Sequence, residues 1–277
     1  MRNGLENYHT HTARCKHASG SVADYAKNAV KNGIAVLGIS DHTPLPDGRW
    51  LNVRMHMDDL AGYIAEIRAA QKAHPGLIIL TAVECEGFTE YNTFYRDTLL
   101  NEHHMDYLIG GNHYFRVNGT MSGVYDNAAM DLPALHAYAD HVIATIASGL
   151  FAFVAHPDLF GYSYLNWDAE TVAISRDIAS AAASYRIPLE INGYGMRKPA
   201  VKSETGMRAP YPLEKFWEIA AAYDISVVAN SDAHRPEDVA AGIAEGSALA
   251  SRYGLRLADI RGHIGNGRQN TTVNPAL

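Results

Sequence analysis

Seven short runs of β-branched and apolar residues recur along the chain, and each ends in polar residues. They are LENYHTH (5–11), AVLGISDH (35–42), LIILTAVE (77–84), DYLIGGNH (106–113), FAFVAHPD (151–158), IPLEING (187–193) and ISVVANSDAH (225–234). Apolar runs of this length read as buried strands. Between most of them the apolar spacing becomes that of an amphipathic helix. In 21–33, Ser21 stands as N-cap and Asp24 at the capping-box position. Val22, Tyr25, Ala26, Ala29 and Val30 form one stripe there, and Gly33 ends the pattern. The stretch 58–76 repeats this logic, opened by Asp58 or Asp59 and closed by Pro75 and Gly76. Further helical patterns cover 133–149, 169–187 and 212–225.

Strands that alternate with helices pair in parallel through right-handed crossovers. Seven such units predict a closed or nearly closed α/β barrel, with an open doubly wound sheet as the alternative. No Pro/Ser-rich linker divides the chain, so one domain is expected over 1–277, with the polar, Gly/Asn-rich 265–277 as a surface tail.

Composition changes this picture little. Hydrophobic residues make up 47% and charged residues 19%, an ordinary globular balance. A formal charge of −7 and a pI near 6.0 give no footprint for nucleic acid or an anionic membrane. An acidic surplus also suits a holder of divalent cations. Cys15 and Cys85 are the only cysteines, too few for a disulfide framework. The N-terminal MRNGLENYHTHT lacks an apolar leader core, and no stretch approaches a membrane span. A soluble, cytoplasmic protein is expected.

Histidine is the outlier, with 14 residues. In parallel α/β folds the active site forms at the carboxyl ends of the strands. Those ends carry His9 and His11, Asp41 and His42, Glu84 and Glu86, His113, His156 and Asp158, Glu190 and Asn192, and Asp232 and His234. One histidine at a strand end is more often a hydrogen-bonded structural residue than a ligand. Five strands ending this way reverse that weighting, because the fold would bring them to one mouth. Residues two apart on a strand point to the same side, so both histidines of HTH can reach one ion. Mixed imidazole and carboxylate donors suit Zn, Mn or Fe. His56, His74, His103, His104, His136, His141 and His263 lie outside these ends and read as structural or solvated. Cys15, with no partner cysteine, reads as a bystander thiol.

The ordered motifs HTHT, SDH, AVECE, GNHY, AHPD and NSDAHRPEDV resemble the polymerase and histidinol phosphatase (PHP) family of metal-dependent phosphoesterases. The segments CKH, ISDHTPLP, LEINGYGMRKP and SDAHRPEDV look like its L-histidinol-phosphate phosphatase branch. The resemblance spans Asn7 to about Gly246. It implies a distorted (β/α)7, TIM-like barrel holding two to three divalent ions. His9, His11, Glu84 and Asp232 would hold one ion. Glu84 would bridge to a second, completed by His113 and His156, and His17, His42 and His234 would hold a third. A hydroxide on these ions would attack phosphorus in line, with no side-chain nucleophile. Asp41 or Asp158 would fix the second imidazole nitrogens. Arg197 and Arg235 match positions that bind the substrate phosphate. The implied activity is hydrolysis of L-histidinol phosphate, a small phosphorylated substrate, in histidine biosynthesis. Another small phosphomonoester or a phosphodiester is the alternative, and a metal-binding barrel without catalysis is a third reading. GNH and NGYG depart from the usual family forms, leaving open whether Tyr194 reshapes the pocket and what Glu86 does.

Overall fold

The computed structural model describes residues 4–126, 129–204 and 206–267. In chain order the strands are β1 (Leu5–Asn7), β2 (Ile34–Ile39), β3 (Ile78–Glu86), β4 (Tyr107–Gly111), β5 (Tyr114–Val117), β6 (Thr120–Gly123), β7 (Phe153–Val154), β8 (Leu189–Asn192), β9 (Val201–Ser203), β10 (Gly206–Arg208), β11 (Ser226–Asn230) and β12 (Arg256–Leu257). The helices are α1 (Val22–Lys31), α2 (Leu60–Ala73), α3 (Leu132–Ala147), α4 (Ala169–Tyr185), α5 (Gly193–Arg197), α6 (Glu214–Ala220), α7 (Ile243–Arg252) and α8 (Ile260–Gly267). A π-helical segment, Phe94–Glu102, precedes β4.

Eight strands form one parallel, curled sheet in the order β1-β2-β3-β4-β7-β8-β11-β12. Seven of them are the predicted runs. The eighth, β12, is a two-residue edge against the start of β11, too short to leave a pattern in the sequence. β5–β6 and β9–β10 are antiparallel hairpins beside the sheet. α1 starts as expected: Ser21 accepts from the Asp24 N–H, and the Asp24 carboxylate accepts from the Ser21 N–H.

The seam between β1 and β11 closes the barrel at one end. His11 N–H donates to Ala233 O (2.9 Å), and Thr10 bridges Ala233. Nearby, buried amide side chains replace the ladder. Tyr8 N–H donates to Asn230 Oδ1 (2.8 Å) and Ser231 N–H to Asn7 Oδ1 (3.1 Å). Side-chain carbonyls therefore satisfy backbone donors that a regular strand pair would cover.

Two apolar clusters lie between the sheet and the helices packed on it. A third includes Tyr8, Val36, Ala82, Ile109, Phe153, Val228 and Ile260. Ala82 and Glu84 share one face of β3, so this cluster underlies a polar mouth. Of the expected tail, residues 265–267 continue α8, and 268–277 lie outside the described residues. Among the described residues no helix is long and apolar enough to cross a membrane.

Candidate metal centre

The strand ends deliver nine donors to the mouth. His9, His11, His42, Glu84, His156, Asp232 and His234 are buried, His113 is half-buried, and His17 lies at the exposed lip. His9 Nε2 faces His11 Nε2 at 3.0 Å. Glu84 Oε2 is 3.5 Å from each, and Asp232 Oδ1 is 3.2 Å from His11 and 3.7 Å from His9. The other Glu84 oxygen, Oε1, faces His156 Nε2 at 3.0 Å and His113 Nε2 at 3.7 Å. One carboxylate thus turns its two oxygens to two sets of imidazoles. Gly111 makes room for it, since a Cβ there would lie 2.9 Å from Glu84 Oε1.

The third set is His17 with His234, their Nε2 atoms 3.1 Å apart. His42 packs on His17 and on His11, but its Nδ1 turns to Glu84 Oε2 at 3.0 Å. It therefore stands between the first and third sets.

Protonation decides what these contacts mean. His17 Nδ1 donates to Cys15 O (2.7 Å) and His234 Nδ1 to Asp232 O (3.2 Å), and a carbonyl can only accept. Burial pushes His17 down to about 4 and holds His234 well below its usual range, so both rings are neutral at pH 7. Two Nε2 lone pairs then face each other at 3.1 Å. They repel unless a cation lies between them, and ligands roughly 2.0–2.1 Å from one zinc stand about this far apart. Glu84 and Asp232 meet the same test. Burial works against both carboxylates, yet the surrounding imidazoles hold each well below its usual range. Glu84 Oε2, Asp232 Oδ1 and His11 Nδ1 are buried without a hydrogen-bond partner. The donor set fits divalent metal ions.

Two ligand positions carry backbone strain. His156 (φ +31°) and Asp232 (φ +46°) adopt the left-handed region that non-glycine residues avoid. Such strain persists only where the surroundings enforce it.

Residues 7–193 match the family described as PHP domain, and residues 210–252 match one described as PHP-associated. The chain belongs to the PHP family. A Deinococcus radiodurans relative described as "Probable histidinol-phosphatase" is 32% identical over 85% of this chain and 88% of its own length. HisK of Listeria monocytogenes shares the fold, with a TM-score of 0.72, 21% identity, and coverage of 87% of this chain and 99% of that one. Histidinol phosphate phosphatase of Lactococcus lactis, solved with zinc, L-histidinol and phosphate, has a TM-score of 0.70 and 16% identity. It covers 92% of this chain and 96% of its own. The expected distorted TIM-like barrel is the fold of these PHP structures, and the protein is a metal-dependent phosphatase.

Asp41 and Asp158 do not hold imidazoles at this PHP site. The acceptors that fix the imidazoles are Glu190, on His9 Nδ1 (2.8 Å), and Glu86, on His113 Nδ1 (3.0 Å). Burial works against Glu86, but His113 and Arg54 hold it at about 2. Asp41 instead binds the N–H and hydroxyl of Thr12, fastening the HTHT segment. Asp158 accepts from Leu213 N and Trp217 Nε1, tying the end of β7 to α6. Both aspartates sit at strand ends but point into the chain that follows, which strand position alone does not reveal.

Arg197 gives its two terminal nitrogens to backbone carbonyls, while its Nε is buried without a hydrogen-bond partner and its guanidinium carbon lies 5.6 Å from the ring centre of Tyr194. Its guanidinium donates to the carbonyls of Gly193, Ala241, Ser231 and Asp232, bracing the turn that carries Asp232. Arg235 has a side chain 62% exposed and pairs with Asp238 at 3.2 Å. Cys15 is buried, with its thiol within 4.8 Å of the donor atoms of His17 and His234, nearer than a bystander need be. Of the histidines set aside, His136 pairs with Glu170, and His141 packs on Phe88.

Aromatic side chains rim the mouth. The Tyr194 ring stacks on His234 (4.3 Å, 15°), Tyr125 lies over His113 (6.3 Å), and Tyr211 meets His156 (6.0 Å). Gly195 admits Tyr211, whose ring would be 2.2 Å from a Cβ at that position.

Proposed function

We propose that this PHP phosphatase hydrolyses L-histidinol phosphate, with two to three zinc, manganese or iron ions held by His9, His11, His17, His42, Glu84, His113, His156, Asp232 and His234. The observation that carries the ligand assignment is the division of Glu84, one oxygen toward His9 and His11 and the other toward His113 and His156. The substrate assignment is supported by the 32% identical histidinol-phosphatase relative and by the Lactococcus lactis protein's complex with L-histidinol and phosphate. The tyrosine rim also suits an imidazole-bearing alcohol, because flat rings stack on it.

Bound divalent ions would lower the pKa of a water and neutralise charge on the phosphoryl oxygens. The chain's own residues do the positioning. Glu190 and Glu86 hold the Nδ1 protons of His9 and His113, which leaves their Nε2 lone pairs aimed at the mouth. Glu84 and Asp232 supply the negative charge that cations require. Tyr194 and Tyr125 lie against two of the imidazoles. We place the protein in the cytoplasm as a single barrel domain, in keeping with two unpaired buried thiols.

The test is a side-by-side comparison of L-histidinol phosphate, other small phosphomonoesters and a phosphodiester, using zinc-, manganese- and iron-loaded protein. A clear preference in kcat/KM for L-histidinol phosphate is expected. Equal turnover of a generic aryl phosphate would overturn the substrate, and turnover of none would overturn the activity.

A further inference from the structure

Arg197 has its terminal nitrogens on backbone carbonyls and Arg235 pairs with Asp238 at an exposed position, so a further cation at the mouth is of interest. Lys198 closes α5, the helix that begins directly after β8. Its Nζ lies 4.3 Å from the ring centre of Tyr194, 4.9 Å from that of Tyr125 and 5.9 Å from that of Tyr162. Among the described residues it donates to no oxygen and pairs with no carboxylate. Two of the three rings are those that cover His234 and His113, so the ammonium stands over the same mouth.

Aromatic faces stabilise a cation through the ring quadrupole, and more strongly where water is excluded. They offer no lone pair in the way an oxygen does, so they hold the charge without occupying its N–H groups. An ammonium kept this way has no donor committed to an oxygen and can turn N–H groups to an incoming anion. Arg197 also lies over Tyr194, at 5.6 Å, but both of its terminal nitrogens are taken by four carbonyls and only Nε is left unpaired.

We propose that Lys198, caged by Tyr125, Tyr162 and Tyr194, is the side chain that binds the substrate's phosphoryl oxygens opposite the metal cluster. This rests on the phosphatase reading of the site, but not on which alcohol the phosphate esterifies. Tyr194 acquires a role as well: one face covers His234 and its ring also holds the lysine.

The experiment measures binding of inorganic phosphate to zinc-loaded protein by calorimetry, with metal content determined on the same samples. Lys198→Met keeps an unbranched chain of similar length in the cage and removes the charge. Affinity for phosphate is expected to fall about 10- to 100-fold, the loss associated with a charged hydrogen bond. Lys198→Arg should recover part of it. Lys215→Met is the control, because Lys215 also lies over an aromatic ring, Trp167, but at an exposed position of α6. Phosphate binding unchanged in Lys198→Met would overturn the proposal. So would an equal loss in Lys215→Met, or a loss that vanishes at equal metal content. If the wild type prefers another phosphomonoester while Lys198→Met still loses phosphate, only the histidinol assignment falls.

Discussion

Replacing Glu190 by glutamine changes one atom and separates two roles of a buried carboxylate. Glu190 Oε1 accepts from His9 Nδ1 (2.8 Å) and Asn230 Nδ2 (2.9 Å). Oε2 accepts from Asn192 Nδ2 (2.8 Å) and His156 N (3.2 Å). Glutamine must place its NH2 on one side, so two buried donors would then face a donor. Each unmet donor costs about 1–3 kcal/mol, giving a stability loss of about 4 kcal/mol in metal-free protein. The lost charge also acts on the metal site. Burial opposes a proton on His9, yet Glu190, Asp232 and Glu84 raise it well above the usual range, so this group of carboxylates draws positive charge to the ring. Changing a partner of a metal-bound imidazole typically weakens metal affinity by about 10- to 100-fold. Urea unfolding of chelated Glu190→Gln would give the first quantity, and zinc competition against a chromophoric chelator the second. Wild-type values in both would refute the reasoning. Lost stability with unchanged zinc affinity would leave Glu190 a scaffold residue only.

Arg197→Ala removes donors to four carbonyls around the Asp232 turn and should cost about 3 kcal/mol by urea unfolding; a purely phosphate-binding arginine would leave stability unchanged. Glu84→Ala should compromise two metal positions and His17→Ala one, as read by elemental analysis, and equal losses would undo the ligand assignment. Burial lowers His141 to about 4, so its unfolded form takes up protons first as pH falls from about 6.5. Wild-type stability should therefore drop relative to His141→Leu between pH 6.5 and 4, by at most about 3 kcal/mol. A constant difference across that window would remove the histidine from the acid sensitivity.

Much of the barrel and its ligand-bearing ends is legible in the sequence, because parallel strands buried on both faces leave unbroken apolar runs. HTH, ECE and DAH then place alternate residues on one side. Legibility fails where side chains double back. In GMRKP nothing local says that Arg197 folds onto the carbonyls after β11 while Lys198 turns to the tyrosines. Glu190 interrupts LEIN as a single buried carboxylate, and only the closed barrel shows that His9, from the opposite end of the chain, lies against it. Tyr125, Tyr162 and Tyr194 come from three separate loops or short helices, so their meeting has no sequence period. β12 pairs through two residues and has no apolar run to announce it.

The seam between β1 and β11 has a consequence for how the protein is made. Its amide bridges join residues 224 positions apart, and the cluster straddles it, with His9 and His11 on one side and Asp232 and His234 on the other. The histidines synthesised first therefore meet Asp232 and His234 only after β11 has been made. Until then Glu84 is the carboxylate that can oppose His9 and His11, and Asp232 is missing from the set. The full ligand set is thereby complete only after β11 emerges, and a chain truncated before residue 230 would leave the ribosome with its first strand unclasped.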